Sequence, residues 1–292
     1  MRALVLSGGG SKGQYSVGAI QHLMGVKGIQ YDIVCGVSVG ALIAAYLCQF
    51  PKGEEAEAAE GLLALFSNVR NQDVWKHWRP FKYLHGLWKG GLTDSSPLRQ
   101  TIKDKLDVER VRTSGRELRI GVTSLTSGLH HTFTQDAYNL AELVYASAAF
   151  PVAFEPSYFD KQWWSDGGIH TVTPIKAAID AGATHVDVVL VAPCHAIPRV
   201  IPHPTTIQVA VRTIELMTDK MFDADIKLTI LHNALVKALQ EPDTTKRYVH
   251  INVIRPQQFM TENSLDFNQL EAAIMRARGF RDASIVCPIM EE

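Results

Sequence analysis

Short apolar runs alternate with stretches of helical periodicity along most of the chain. Predicted strands cover 2–7, 31–36, 117–125, 130–134, 157–159, 162–165, 185–192 and 248–254. Predicted helices cover 13–26, 39–49, 54–69, 139–149, 174–181, one or two segments within 205–239, and 267–279. Strands that alternate with helices predict an α/β fold, with a mainly parallel central sheet and helices on both of its faces.

No Pro/Gly/Ser-rich linker and no internal repeat divides the 292 residues. We therefore expect a single domain over 1–292. Two parts of this domain stand out from the strand–helix alternation. One is a candidate lid or interfacial segment at 70–92, and the other is a helical C-terminal region at 205–292.

Composition narrows the class of protein. The chain is 46% hydrophobic with a formal net charge of −1, which allows a large core and argues against a nucleic-acid partner. The four cysteines are widely spaced, with Cys35 and Cys48 in apolar runs, so we expect buried thiols and neither a metal site nor a cofactor. The N-terminus reaches glycines too soon for a signal peptide, and the apolar run 40–50 is too short for a bilayer, which predicts a cytoplasmic protein.

Ser38 lies in the pentapeptide Gly36-Val37-Ser38-Val39-Gly40, between an apolar strand and an apolar helix. A G-x-S-x-G sequence at a strand-to-helix turn is the pattern of the nucleophile elbow of serine hydrolases. The glycines leave room for a sharp turn, and the N-terminus of the helix stabilises developing negative charge. An ordinary serine in a glycine-rich turn is the structural alternative.

A second glycine cluster, Gly-Gly-Gly-Ser-Lys-Gly at 8–13, joins the first strand to the first helix. Gly8, Gly10 and Gly13 fit the G-x-G-x-x-G loop of dinucleotide-binding proteins, and Asp32 lies near the position of a ribose-binding acid. The alternative is an oxyanion hole, in which amides of this loop bind an oxyanion beside the serine. We favour the oxyanion hole because both loops would lie at the carboxyl ends of neighbouring strands.

Asp166 precedes Gly167 and Gly168 at the end of the short strand 162–165, which is predicted to pair with 157–159 across a tight turn. An aspartate before two glycines is usually only a turn residue. Its place in the chain, after a glycine loop and a serine elbow, makes Asp166 a candidate site residue.

With these three elements in this order, the chain resembles the patatin-like phospholipase family. The resemblance rests on the glycine loop 8–13, the pentapeptide 36–40 and Asp166 with its two glycines. The stretches 91–98 and 146–156 are similar to two further recurring parts of the family. The resemblance covers about residues 1–195.

The resemblance implies a three-layer sandwich related to the α/β-hydrolases, and a bacterial-type lipid acyl hydrolase that uses a Ser–Asp dyad. The nucleophile would attack a fatty-acyl ester of a phospholipid or lysophospholipid, and an acyl-enzyme would form. The resemblance is also compatible with an activating protein partner. The implied residues are Ser38 and Asp166 (catalytic), Gly8, Gly9, Gly10 and Val39 (oxyanion hole), Lys12 (substrate, at the family's basic position) and Gly13, Gly36, Gly40, Gly167 and Gly168 (motif glycines).

A free aspartate, with a pKa of about 3.9, is a poor match for deprotonating a hydroxyl at neutral pH. Burial would raise the pKa of Asp166, and hydrogen bonds from neighbouring amides would lower it. The sequence leaves the balance between these two effects open.

A Ser-Asp-His triad is the mechanistic alternative. Its candidate is His195, just beyond the predicted strand 185–192, which keeps the chain order Ser…Asp…His of α/β-hydrolases. A proline-bounded exit loop explains His195 equally well. We predict that His195→Ala leaves hydrolysis within a few-fold of wild type.

The segment 70–89 is rich in basic and aromatic residues and contains one acid, Asp73. Its basic residues are Arg70, Lys76, Arg79, Lys82 and Lys89, and its aromatic residues are Trp75, Trp78, Phe81, Tyr83 and Trp88. Tryptophan and tyrosine suit a membrane–water interface, and basic residues attract anionic headgroups. A peripheral membrane contact and a loop whose aromatics fold onto the helices explain the pattern equally well.

Three classes of function remain open. The first is a lipid acyl hydrolase, and the second is a soluble esterase, thioesterase or acyltransferase with the same dyad. The third is a protein that keeps the fold only for binding. The complete set of chemical parts disfavours the third class, and the aromatic-basic segment favours the first over the second.

Overall fold

The computed structural model describes residues 1–79, 86, 88–193, 205–238, 248–258, 260 and 263–285. Its centre is an eight-stranded sheet. The strands are β1 Arg2–Leu6, β2 Ile33–Val37, β3 Glu117–Ser124, β4 His130–Thr134, β5 Ser157–Phe159, β6 Gln162–Asp166, β7 His185–Val189 and β8 His250–Ile254. Their ends differ from the predicted ones by at most three residues.

The sheet has the order β5-β6-β3-β2-β1-β7-β8, and β4 pairs with β3. The five strands from β3 to β8 in this order are parallel to one another. The pairs that involve β4, β5 and β6 are antiparallel. The mainly parallel sheet predicted from the sequence is confirmed, and the predicted hairpin of β5 and β6 forms its end.

Helices cover both faces of the sheet. They are α1 Gly13–Ile20, which continues as a π-helical turn Gln21–Val26, α2 Val39–Leu47, α3 Glu55–Ser67, α4 Asn71–Val74, α5 Ser96–Lys105, α6 Val108–Thr113, α7 Leu140–Ser147, α8 Ile175–Asp180, α9 Thr206–Ala238 and α10 Gln269–Ser284. Short 3₁₀ turns occupy Gly10–Lys12 and Gly167–Ile169. The segment 205–239 therefore contains one helix. Strand β8 shows that the C-terminal region is not only helical.

Alternate residues of the central strands belong to two different hydrophobic clusters, because successive side chains of a strand point to opposite faces of the sheet. Leu4 and Leu6 of β1 join the cluster formed with α1, α2, α3 and α7. Ala3 and Val5 join the cluster formed with α8 and α9. The result is a three-layer sandwich.

The register of β3 explains how two distant parts of the chain meet. Val37, the last residue of β2, pairs with Gly121 of β3. Strand β6 then occupies the same side of β3 beyond the end of β2, and Asp166 pairs with Val122. Since Gly121 and Val122 are adjacent, the residue after Val37 and the residue Asp166 are brought to the same place.

Elements from the C-terminal part of the chain also pack on the elements formed by its N-terminal part. Strand β7 pairs with β1. Helix α10 packs on α1 so closely that a Cβ at Gly18 would lie 1.9 Å from the carbonyl oxygen of Arg276, and one at Gly279 would lie 2.0 Å from that of Tyr15. Among the described helices, none is both long and apolar enough to cross a membrane. The single domain over 1–292 stays a prediction.

Candidate active site

Ser38 occupies the turn between β2 and α2 with φ 58° and ψ −129°, a backbone conformation that L-residues rarely adopt. A Cβ at Gly36 would lie 2.1 Å from the carbonyl oxygen of Gly40, so strand and helix approach too closely for any other residue at 36. The turn holds the serine at the carboxyl edge of the sheet, where its side chain is 8% exposed.

A buried serine that the sequence analysis did not assign supports this turn. The backbone amide of Ser38 donates to Oγ of Ser147 at 3.0 Å, and that hydroxyl donates to the carbonyl oxygen of Gly121 at 2.6 Å. Ser147 thus links the turn to β3 and to the end of α7. It lies in the stretch 146–156 that resembles the family, so its place was visible in the sequence although its contact was not.

Asp166 is 2% exposed. Its Oδ1 accepts a hydrogen bond from the amide of Gly168 at 2.8 Å, whereas its buried Oδ2 has no hydrogen-bond partner among the described residues. Burial raises the pKa of Asp166 to about 7, against the lowering effect of the Gly168 amide and the nearby Ser38 hydroxyl. Burial therefore outweighs hydrogen bonding, and the carboxylate is a base matched to neutral pH.

The glycine loop lies directly over the serine. A Cβ at Gly8 would be 3.0 Å from Cβ of Ser38, but the Gly8 amide already donates to the carbonyl oxygen of Val172 at 3.1 Å. Gly9 and Gly10 adopt positive φ values of 150° and 58°. Neither of their amides donates to an acceptor found among the described residues, which leaves them available to a ligand.

Two further predicted residues line the same cavity as Ser38. Val39 is the first residue of α2, where a backbone amide has no acceptor within the helix. The half-buried Lys12 has no acidic partner within the described part of the chain. Its ammonium group is therefore available to a negatively charged ligand.

The structure separates the predicted residues into two groups. Those that line the cavity are Gly8, Gly9, Gly10, Lys12, Ser38, Val39, Asp166 and Gly168. Those that permit close packing around it are Gly13, Gly36, Gly40 and Gly167. Asp32 lies before β2, at the opposite end of the sheet from the glycine loop, and binds Lys52 at 2.6 Å. This position does not fit the ribose-binding acid of a dinucleotide site.

A segment far along the chain covers the glycine loop. The amide of Ser11 donates to the carbonyl oxygen of Ser264 at 2.7 Å, and a Cβ at Gly10 would lie 2.1 Å from that oxygen. The indole of Trp75 donates to the carbonyl oxygen of Leu265 at 3.1 Å. Residues 263–267 thus form one wall of the site, and no motif in the sequence predicted this contact.

The cavity has a volume of about 180 Å³, and its walls are mostly apolar. No histidine lines it within the described part of the chain, and His195 lies outside the described residues. The described residues contain no group of three or more histidine, cysteine or acidic side chains that could hold a metal ion. Cys35 and Cys48 are buried free thiols, as predicted.

The segment 70–92 is described in part, since 80–85 and 87 lie outside the described residues. Trp75 bonds inward to Leu265, and the indole of Trp78 donates to the carbonyl oxygen of Gly91 at 2.9 Å. Trp88 is 91% exposed. Of these three tryptophans, Trp88 is therefore the one available to a membrane surface.

The fold is that of the patatin-like class of three-layer α/β proteins. A family model described as "Patatin-like phospholipase" matches residues 4–179, and the chain therefore belongs to this family.

Three curated proteins are similar over more than half of the chain. The protein YqhO of Bacillus subtilis, which is described as uncharacterized, is 27% identical over 59% of this chain and 64% of its own length. Proteins named cGAMP-activated phospholipase from Pseudomonas aeruginosa and Escherichia coli are 26% and 24% identical, over 57% and 60% of this chain. The chain covers 52% and 53% of their lengths. It thus spans about half to two-thirds of these relatives.

Among solved structures, VipD from Legionella pneumophila aligns with 97% of this chain and 66% of its own. The sequence identity is 15% and the TM-score is 0.44.

Proposed function

We propose that the protein is a lipid acyl hydrolase that cleaves fatty-acyl esters of phospholipids or lysophospholipids with a Ser38–Asp166 dyad. The observation that carries this proposal is the pairing of the two residues. A serine held at a strained turn lies beside a buried carboxylate whose pKa is about 7 and whose Oδ2 has no partner among the described residues. Both residues line an apolar cavity, which suits an acyl chain.

In the first half of the reaction, Oγ of Ser38 forms a bond to the ester carbonyl carbon while its proton passes to Asp166. The amides of Gly9, Gly10 and Val39 stabilise the resulting oxyanion. The tetrahedral intermediate then collapses. The bond to the leaving alcohol breaks, Asp166 returns the proton to that alcohol, and an acyl-enzyme remains.

In the second half, water gives a proton to Asp166 and attacks the acyl-enzyme carbonyl. The second intermediate releases the fatty acid, and Ser38 recovers its proton from Asp166. A carboxyl group with a pKa of about 7 can both accept and return a proton near neutral pH. This dual role removes the need for a histidine. The triad with His195 remains the alternative.

The apolar cavity favours a lipid ester over a small soluble ester or thioester, although the same dyad would serve both. An acyltransferase would differ only in the acceptor, since an alcohol in place of water captures the same acyl-enzyme. Lys12, which has no acidic partner among the described residues, lies at the glycine loop and favours a substrate that carries phosphate near the ester.

We place the proposed membrane contact at the exposed end of the segment 70–92. Trp88 and the exposed Lys89 supply an aromatic anchor and a positive charge. A Trp88→Ala variant should weaken co-sedimentation with anionic vesicles. Trp78→Ala is an unsuitable test because the Trp78 indole is bonded within the fold.

The proposal includes two kinds of activator, a protein partner and a cyclic dinucleotide. The family resemblance is compatible with a protein partner, and two relatives are named as cGAMP-activated phospholipases. We therefore include a cyclic dinucleotide as an arm of the test.

The test is fatty-acid release from mixed phospholipid vesicles, with and without cGAMP. We expect release by the wild type, and loss of release in Ser38→Ala and Asp166→Asn. Matched controls are Ser96→Ala and Asp104→Asn, which change exposed residues of α5. Unchanged release by either dyad variant would overturn the dyad. No release under any condition, combined with turnover of a soluble p-nitrophenyl ester, would favour the small-ester alternative.

A further inference from the structure

A short segment of the chain lies between the two halves of the reaction centre. The amide of Thr171 donates to the carbonyl oxygen of Gly167, the residue after Asp166, at 3.0 Å. The carbonyl oxygen of the next residue, Val172, accepts a hydrogen bond from the amide of Gly8 in the glycine loop at 3.1 Å. Val172 also lines the cavity. The segment therefore contacts both the loop that carries the aspartate and the glycine loop.

Helix α9 binds this segment, residues 171–173, through Asp225. Oδ2 of Asp225 accepts a hydrogen bond from the amide of Thr173 at 3.0 Å, and the amide of Val172 acts on the same carboxyl group. Phe222, one helical turn earlier on the same face of α9, is 2% exposed and lines the cavity. Because Phe222 fixes α9 in the core, the carboxyl group of Asp225 meets the segment at a defined position.

Asp225 is a half-buried acid that pairs with no basic side chain among the described residues. Burial raises the pKa of Asp225 to about 6, against the lowering effect of the two backbone amides. A carboxylate withdrawn from water without a cation costs stability unless its hydrogen bonds offset that cost. An apolar residue at this position would avoid the cost but would leave the amide of Thr173 without its acceptor. The contact with the segment is therefore what the acid provides.

The hydrogen bonds run in one line from α9 to the glycine loop. The carboxylate accepts amides of the segment, and the carbonyl oxygen of Val172 accepts the amide of Gly8. Successive hydrogen bonds polarise one another, so a charged acceptor at one end strengthens the next bond. Gly9 and Gly10, whose amides are proposed to bind the oxyanion, follow directly. A misplacement of about 1 Å in such a site can lower the rate about 100-fold.

We propose that Asp225 is a positioning residue of the reaction centre, which acts on the oxyanion-binding amides through Val172 and Gly8 without touching the substrate. The inference rests on the proposed hydrolase function. Asp225 itself does not line the cavity, and it lies beyond the residues that match the family model. The ionised acid holds the glycine loop in the geometry that stabilises the oxyanion, and a neutral side chain at 225 holds it less firmly.

The kinetic test compares Asp225→Asn with the wild type between pH 5 and pH 8 on a soluble p-nitrophenyl ester. Asparagine offers one acceptor and one donor, as a protonated carboxyl group does. At pH 8 we expect kcat of the variant to be about tenfold lower, with KM within about twofold. The wild-type Asp225 takes up a proton as the pH falls through about 6. The ratio of the two kcat values should therefore approach one at pH 5, since Asp166 titrates in both proteins.

Hydrogen exchange of the Gly8 amide tests the same link without any substrate. At pH 7.5, Asp225→Asn should speed this exchange at least about tenfold. Asp180→Asn, which changes an exposed residue of α8, is the matched control and should leave the exchange and kcat unchanged. The wild type alone gives a further measurement if the variant does not fold. Its Gly8 protection factor should fall between pH 7 and pH 5 as Asp225 is protonated.

The outcomes separate this proposal from the proposed function. A kcat ratio that is independent of pH would mean that Asp225 acts only on folding, and it would overturn the positioning role. Unchanged Gly8 exchange in a folded variant, or a wild-type protection factor that does not fall, would overturn it as well. If the wild type hydrolyses no ester, the hydrolase is overturned, and Gly8 exchange alone decides whether Asp225 positions the loop.

Discussion

Asp166→Asn is predicted to remove activity and, above neutral pH, to stabilise the fold. The carboxyl group has a pKa of about 7 in the folded protein and an ordinary value of 3.8. Between these two pH values the folded protein keeps a proton that the unfolded chain releases. The contribution of this group to stability is therefore full below pH 4 and is lost as the pH rises through 7.

The magnitude follows from the same two values. Each pKa unit corresponds to about 1.36 kcal/mol, so the ionised Asp166 costs the wild-type fold about 4 kcal/mol at pH 8 relative to pH 4. Asparagine removes this cost. Its amide nitrogen, placed where Oδ2 lacks a partner, introduces an unsatisfied donor worth about 1–3 kcal/mol. We expect a net gain of about 1–3 kcal/mol at pH 8 and a net loss of similar size at pH 4.

The assay is urea unfolding of both proteins at pH 4, 6 and 8, followed by circular dichroism. The difference in unfolding free energy should change sign between pH 4 and pH 8. Asp104→Asn is the control, because this exposed aspartate should show no such crossing. A variant that is destabilised equally at all three pH values would refute the assignment of a raised pKa to Asp166.

Three further predictions concern the reaction centre. Wild-type kcat/KM for a soluble ester should rise with pH up to about 7 and then level off, since Asp166 must be ionised to act as a base. Initial rates of ester hydrolysis measured at a series of pH values test this. Ser147→Ala should lower both the unfolding free energy, by about 1–3 kcal/mol, and kcat, because it removes the buried acceptor of the elbow amide; urea unfolding and ester turnover test it. Gly10→Ala should lower kcat at least tenfold because its Cβ would collide with the carbonyl oxygen of Ser264, whereas Gly28→Ala, with a similar φ of 61° and open space around it, should leave kcat unchanged.

The sequence was sufficient for the parts of the site that depend on local chain geometry. A glycine loop after a strand, and a serine between a strand and a helix, can each be recognised within a few residues. The alternation of strands and helices also predicted the sheet, because each strand and helix can be recognised from neighbouring residues. Helices α5 and α6 were not predicted because few of their residues are buried, so their apolar periodicity is weak.

The sequence could not supply the features that depend on distant contacts. The pairing of Asp166 with Val122 sets its distance from Ser38, and only the register of β3 reveals it. The pKa of Asp166 depends on burial by several elements at once. The amide of Gly8 was expected in the oxyanion hole, but it donates to Val172, a partner 164 positions later in the chain.

The segment 263–267 lies outside the part of the chain that matches the family, yet it touches the glycine loop directly. The part of the chain that matches the family model is therefore shorter than the part that builds the fold around the site. A chain cut after residue 179 would keep every recognised motif and lose β7, the neighbour of β1, together with the wall over the loop. Substitutions in the segment 263–267 can also change the reaction centre while every motif residue stays the same. Divergence in catalytic behaviour among relatives should thus be sought where their sequences no longer align.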